Sequence, residues 1–263
     1  MRRRSHFRLP LVTLRFVPVW RRNFLVWRKL AVPSVLGNLA DPMLYLFGLG
    51  YGLGSLLHKV GGGSYIVFLA GGMICYSTLN SATFETLYSG FSRMHVQRTW
   101  DAILNAPMAL DDIVLGELAW SAAKSLLSGF AILLVIWVFH LDRSWPMSVL
   151  VIPAVLLIGL CFSAMGLVVT ALSPSYDFFM YYFTLAVTPM VLLSGVFYPV
   201  TQLPPLFQHL AAILPLTHAV FLVRPLLMGQ WPTQAACHVG VLVGYAAVSY
   251  YAALVLFRRR LLQ

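Results

Sequence analysis

The sequence predicts an all-α integral membrane protein with six transmembrane helices, an N-terminal interfacial helix and a re-entrant outer segment between spans five and six. Three observations predict it. Of the 263 residues, 60% are hydrophobic and only 10% are Asp, Glu, Lys or Arg, with a mean hydropathy of +0.81, whereas a soluble domain carries roughly 25% charged residues. Nine of the 18 basic residues precede Leu30 and three more close the chain at 258–260, so the charge sits at the two ends. Finally, residues 189–232 hold seven prolines and one charge, Arg224. That stretch is too apolar for water and too broken for one spanning helix.

Several function classes fall away at once. The net charge of +10 follows the positive-inside rule for a multispan chain with basic ends and is not a nucleic-acid footprint. Cys75, Cys161 and Cys237 lie far apart in apolar segments, which suits small core residues and supplies neither a disulfide framework nor a metal site. The N-terminus looks like the basic start of a signal peptide. Arg15, Arg21, Arg22, Arg28 and Lys29 then interrupt any apolar run, so no removal is expected. GxxxxGK[ST], HExxH and GxSxG are all absent, which leaves no nucleotide phosphate loop and no catalytic constellation.

Taken in order, residues 18–31 (PVWRRNFLVWRKLA) place Trp20, Phe24 and Trp27 on one helical stripe and Arg21, Arg22, Arg28 and Lys29 on another side. That pattern belongs to a helix lying among lipid headgroups. Asp41–Pro42 reads as a helix start, giving a first span at 42–60. Its Gly48/Gly52 and Gly50/Gly54 pairs are suited to close helix approach, and Gly61–Gly63 turns the chain outside. Span two is 65–88. Residues 93–108 form a polar loop in which RTWDAILNAP is one short helix closed by Pro107. Asp111 and Asp112 then favour the next helix N-terminus. Spans three to six follow at 113–139, 147–172, 178–198 and 235–257, with the broken outer segment at 199–232.

Charge fixes the orientation. Nine basic residues at the N-terminus, Arg93, Arg98 and three at the C-terminus make fourteen inside, against Lys59, Arg143 and Arg224 outside. Both termini are thus expected in the cytoplasm. Ionisable residues inside a membrane are functional candidates by default: here Glu85, Glu117, Lys124 and Arg224. Glu117 lies too far along its own helix for an ideal pair with Lys124, so a neighbouring helix is the better source of a partner, and snorkelling is the plain alternative. His209 and His218 could join Arg224 at an anionic or sugar substrate, or serve as interfacial and turn residues. An intramembrane lipid- or glycan-modifying enzyme would need convergent acid and base groups. An ion-coupled carrier would show paired broken helices.

TWDAILNAPMALDDIVLGELAW and LLSGVFYPVTQLPPLFQHLAAILPLTHAVFLVRPLLMG resemble, respectively, the loop between spans two and three and the outer signature of the ABC-2 class of ATP-binding-cassette permeases. The resemblance covers essentially the whole chain. Residues 20–54 are similar to the branch of that family that exports lipo-chitooligosaccharide nodulation factors in root-nodulating bacteria. The resemblance implies a homodimer in the bacterial inner membrane, working with a separate ATPase subunit that binds ATP and Mg. This chain itself would hold no cofactor and perform no hydrolysis. It implies an ATPase-coupling role for Arg98, Thr99, Trp100, Asp101, Ala102, Ile103, Leu104 and Pro107. It assigns an outer gate to Gly195, Phe197, Pro199, Leu203, Pro204, Pro215 and Arg224. An amphiphilic oligosaccharide could meet Trp120, Lys124, Tyr181 and Tyr182 along its pathway, although packing aromatics are the plainer reading. Another polysaccharide, a lipid-linked glycan or a drug remains an alternative cargo.

Overall fold

The computed structural model describes residues 7–10, 13–57, 60, 63–142 and 144–261. The helices are α1 (Phe16–Arg28), α2 (Ala31–Ser55), α3 (Tyr65–Val96), α4 (Thr99–Leu104), α5 (Leu110–Val138), α6 (Trp145–Leu172), α7 (Asp177–Leu193), α8 (Pro205–Ile213), α9 (Pro215–Leu227) and α10 (Ala235–Leu261). There is no strand among the described residues, only an isolated bridge between Val60 and Gly63. Among the described residues four helices, α3, α5, α6 and α10, are each long and apolar enough to cross a membrane. The number rises to six if each of two bent pairs is one span: α1 with α2, bent by 83°, and α8 with α9, bent by 86°. The sequence counts a different six, taking 178–198 as a span where α7 is a shorter apolar helix.

The centre is a three-helix packing of α3, α5 and α6, with α9 against α3 and α10 against α6. Small residues and hydroxyls allow the close approach. A Cβ on Gly166 would lie 2.0 Å from Thr86 Oγ1, so α6 can meet α3 here only through glycine. Ser77 and Ser128 are 2.9 Å apart, Ser163 donates to Ser121 at 2.8 Å, and Thr170 donates to the Thr86 carbonyl at 2.9 Å. Such contacts hold helices together where hydrophobicity gives no preference over lipid.

Asp41–Pro42 is not a helix start. The helix begins at Ala31, Pro42 lies inside it, and the Asp41 carboxylate accepts the Tyr76 hydroxyl at 2.8 Å instead of capping. A lone proline costs one backbone hydrogen bond, and an apolar flank in hydrocarbon has no better option than to stay helical around it. Nor does α3 stop at 88; it passes through π turns at Glu85–Gly90 and Ser92–Val96. Conversely α7 ends at Leu193, short of 198, because Gly195 turns the chain at φ +75°. Of the expected small-residue pairs, only Gly50 closely meets a neighbour, Ile66 at 2.9 Å, whereas Gly48 and Gly52 face open space. Cys75 and Cys161 are buried as expected, but Cys237 is exposed. The expected Gly61–Gly63 turn falls partly, and Lys59, Arg143, His6 and His58 wholly, outside the described residues.

Candidate coupling site at the basic end

Four charged side chains from two helices, α3 and α5, meet in the interior. Glu85 and Glu117 are 3% and 2% exposed. Arg93 bridges them, with Nη2 2.9 Å from Glu85 Oε1 and 2.5 Å from Glu117 Oε2. The other Glu85 oxygen binds Lys124 Nζ at 2.7 Å. Two indoles complete the shell, Trp120 Nε1 donating to Glu85 at 2.8 Å and Trp100 Nε1 to Glu117 at 3.3 Å. Two carboxylates and two cations sum to zero, the condition under which ions tolerate a low-dielectric interior. The Lys124 partner does come from a neighbouring helix, and Arg93 is drawn from the expected loop into the same cluster. Glu85 and Glu117 are therefore not scattered, yet each is saturated by cations and indole donors, and His95 stands exposed outside the cluster. The arrangement lacks the free acid or base that the enzyme reading requires.

The eight residues assigned to coupling divide into two kinds. Arg98 takes the left-handed conformation, φ 48°, which reverses the chain after α3 and starts α4. Trp100 points inward, fully buried, with its ring edge-on to Phe257 at 5.0 Å. Thr99, Ile103 and Leu104 are half-buried, while Arg98, Asp101, Ala102 and Pro107 are exposed. Ties to other elements fix this hairpin firmly. Arg22 donates to Thr99 Oγ1 and Arg15 to the Pro107 carbonyl, both at 3.3 Å. Asp112 accepts the Ala109 N–H at 3.2 Å, capping α5, and binds Thr13 Oγ1. Asp111 pairs with Arg258 at 2.6 Å, joining the end of α10 to the start of α5. Trp100 thus ties α4 to Glu117 and, through Arg93, to Glu85 and Lys124 in α3 and α5.

Two of the four pathway candidates, Trp120 and Lys124, line one cleft, and Tyr181 and Tyr182 lie away from it. Trp120 is 1% exposed and packed edge-on against Trp20, Phe24 and Trp27 in the cleft wall. Lys124 is engaged by Glu85. Tyr181 is exposed and Tyr182 half-buried on α7, and neither borders the cleft beside α1. That cleft, about 490 Å³, lies between α1, α3 and α5, and Arg22, Asn23, Trp27, Tyr88, Gln97 and Tyr176 line it, with Glu85 and Lys124 in its wall. Burial, and then the charge of Arg93, push the Arg22 guanidinium below the ordinary arginine range, against the pull of Glu117. Sequence reasoning missed Asn23 and Arg93. The available signal for Arg93 was the balance of two acids and two bases near one end of α3 and α5.

At the opposite end Arg224 turns inward. It is 9% exposed, donates to the carbonyls of Phe68 (3.0 Å), Gly195 (2.7 Å) and Val196 (3.3 Å), and stacks over the Phe68 ring at 3.6 Å. It clamps the Gly195 turn onto α3, where a Cβ on Gly72 would lie 2.5 Å from the Val196 carbonyl. Tyr65 adds a hydroxyl bond to the Phe197 carbonyl at 3.0 Å. Pro205 and Pro215 occupy the first turns of α8 and α9, and Pro215 is buried. Pro199 and Leu203 are half-buried in the linker and Pro204 is exposed. His218 shares a 2.8 Å Nδ1–Nδ1 contact with His238, and His209 bonds the Pro205 carbonyl at 2.7 Å. Neither histidine joins Arg224 in a substrate site. Arg224→Leu, which orphans three carbonyls, is expected to cost on the order of 3 kcal/mol, with Arg224→Lys recovering only part. Thermal unfolding in detergent checks this, and a wild-type melting curve for Arg224→Leu would refute the clamp.

The chain is thus a bundle of apolar helices with the α4 hairpin at one end and the broken α8–α9 segment at the other. The ABC-2 type transporter family matches residues 15–228, and the chain belongs to that family. It is similar to Nodulation protein J of Bradyrhizobium diazoefficiens, 49% identical over 97% of each chain, and to Nodulation protein J of Rhizobium meliloti, 46% identical over 97% of each. A more distant relative is the Inner membrane transport permease YadH of Escherichia coli, 27% identical over 88% of this chain and 90% of the other.

Proposed function

We propose that the protein is the permease subunit of an ATP-binding-cassette exporter that moves lipo-chitooligosaccharide nodulation factors across the bacterial inner membrane. The observation that carries the reading is near-full-length similarity to proteins named Nodulation protein J. The site geometry supports it, because the interior charges are neutralised and the exposed part of α4 is positioned to receive force from outside the bundle. Two copies of the chain would pair, bound to two copies of an ATPase resembling nodulation protein I, which holds ATP and Mg. Exposed apolar residues on α2 (Leu36, Leu44) and α7 (Met180, Leu185) suit contact with lipid or with the second copy. Both termini lie in the cytoplasm in this reading, with α2, α3, α5, α6, α7 and α10 as the six spans. The segment 199–232 is then an outer cap.

Inverted membrane vesicles carrying the chain and its ATPase test this reading. Uptake of an acylated chitooligosaccharide is expected to require both subunits and ATP. Uptake that persists without the ATPase would overturn the coupling. ATP-driven uptake of a different polysaccharide or a drug, with none of the acylated chitooligosaccharide, would overturn the cargo.

A further inference from the structure

The cleft between α1, α3 and α5 carries a positive charge that nothing in its walls matches. Arg22, Arg93, Lys124 and Glu85 line it. Arg93 and Lys124 are neutralised by Glu85 and Glu117. Arg22 is left over. Among the described residues it pairs with no carboxylate, and its guanidinium is held by neutral acceptors, Asn23 Oδ1 at 3.1 Å from Nη1 and Thr99 Oγ1 at 3.3 Å from Nη2. A guanidinium carries five N–H donors, so Nε and one hydrogen on each Nη are left for a ligand. Burial and the nearby Arg93 already hold this group below the ordinary arginine range, a cost that an anion in the cleft would offset. The hydroxyls of Ser89 and Ser92 and the amide of Gln97 share the lining and can donate to phosphate oxygens. Where α1 bends into α2 the mouth is apolar, with Val26 58% and Leu30 64% exposed. Arg21, Arg28 and Lys29, exposed on α1, add a positive potential that draws an anionic membrane surface. The volume of about 490 Å³ lies within the roughly 300–1,000 Å³ of small-ligand pockets. It holds a phosphoglycerol headgroup but not a whole lipid, so acyl chains would leave over Val26 and Leu30. A zwitterionic headgroup would bring a second cation beside Arg22.

We propose that this cleft binds the headgroup of an anionic phospholipid, phosphatidylglycerol, with Arg22 as the cation on its phosphodiester and Val26 and Leu30 under its acyl chains. The lipid is a resident ligand that pins α1 against α3, not a cargo. The test titrates the full chain with its ATPase, in detergent, with phosphatidylglycerol or phosphatidylcholine and counts bound lipid by mass spectrometry of the intact complex. Wild type should retain phosphatidylglycerol in preference to phosphatidylcholine and melt at a higher temperature with it. Arg22→Gln should bind phosphatidylglycerol about tenfold more weakly, the value of a charge-assisted contact, and Arg22→Lys should restore part of the affinity. Arg28→Gln, on the exposed side of α1, should bind as wild type does, which separates the cleft from general attraction to a basic helix. If Arg22→Gln does not fold, Ser89→Phe, which fills the cleft and keeps Arg22, should show the same loss. A wild type without preference for phosphatidylglycerol would overturn the site. So would unchanged binding by a folded Arg22→Gln or Ser89→Phe, or an equal loss from Arg28→Gln. Displacement of the lipid by inorganic phosphate at matching concentration would show a site for a soluble anion and overturn the lipid.

Discussion

Arg93→Met is expected to leave most of the chain unfolded or aggregated when extracted. The substitution strips the bridge from two carboxylates that are 3% and 2% exposed, and only Glu85 keeps a cation, Lys124. Breaking a buried pair by removing one partner costs about 3–5 kcal/mol, comparable with a total stability of roughly 5–15 kcal/mol. The double substitution Arg93→Met with Glu117→Gln restores neutrality and keeps the Glu85–Lys124 pair. It should recover at least half the loss. The check is the yield of monodisperse protein and its melting temperature in detergent. A stable Arg93→Met chain, or a double variant no better than the single one, would show that the four charges do not act as a unit.

The second large effect separates the inner and outer residues of α4. Trp100→Ala removes a fully buried ring packed on Phe257 and bonded to Glu117. It should destabilise the fold by about 3–5 kcal/mol. Asp101→Arg changes an exposed residue and should leave the melting temperature unchanged while reducing ATP-driven export at least tenfold, a loss of roughly 1.4 kcal/mol or more. Melting curves beside vesicle uptake distinguish the two. Normal export by Asp101→Arg would remove that residue from the coupling surface. Leu104, half-buried, should show a mixture of both losses.

Much of this architecture was legible in the residues. Apolar length announced α3, α5, α6 and α10, and Pro107 with Asp111 and Asp112 delimited α4 and the start of α5. The basic residues at both ends and in the loop do gather, with Arg258 on Asp111 and Arg22 on Thr99. What escaped needed three-dimensional packing. Pro42 carries a strong local preference that the flanking apolar run overrides, and no local pattern announces the π turns of α3. Lys124 visibly wanted a partner on another helix, but its match with Glu85 depends on the register of α3 against α5. Arg224 read as a candidate for substrate because its acceptors, the Phe68, Gly195 and Val196 carbonyls, have no sequence signature. Trp120 read as a pathway aromatic for the same reason, since only the fold of α1 over α5 buries it.

Site-specific photo-cross-linking tests the central claim that the exposed side of α4 receives the ATPase. A cross-linker placed at Ala102 in the full complex should capture the ATPase subunit, and one at Thr201, in the linker before α8, should not. Capture from Thr201 and none from Ala102, in vesicles that still transport, would contradict the account.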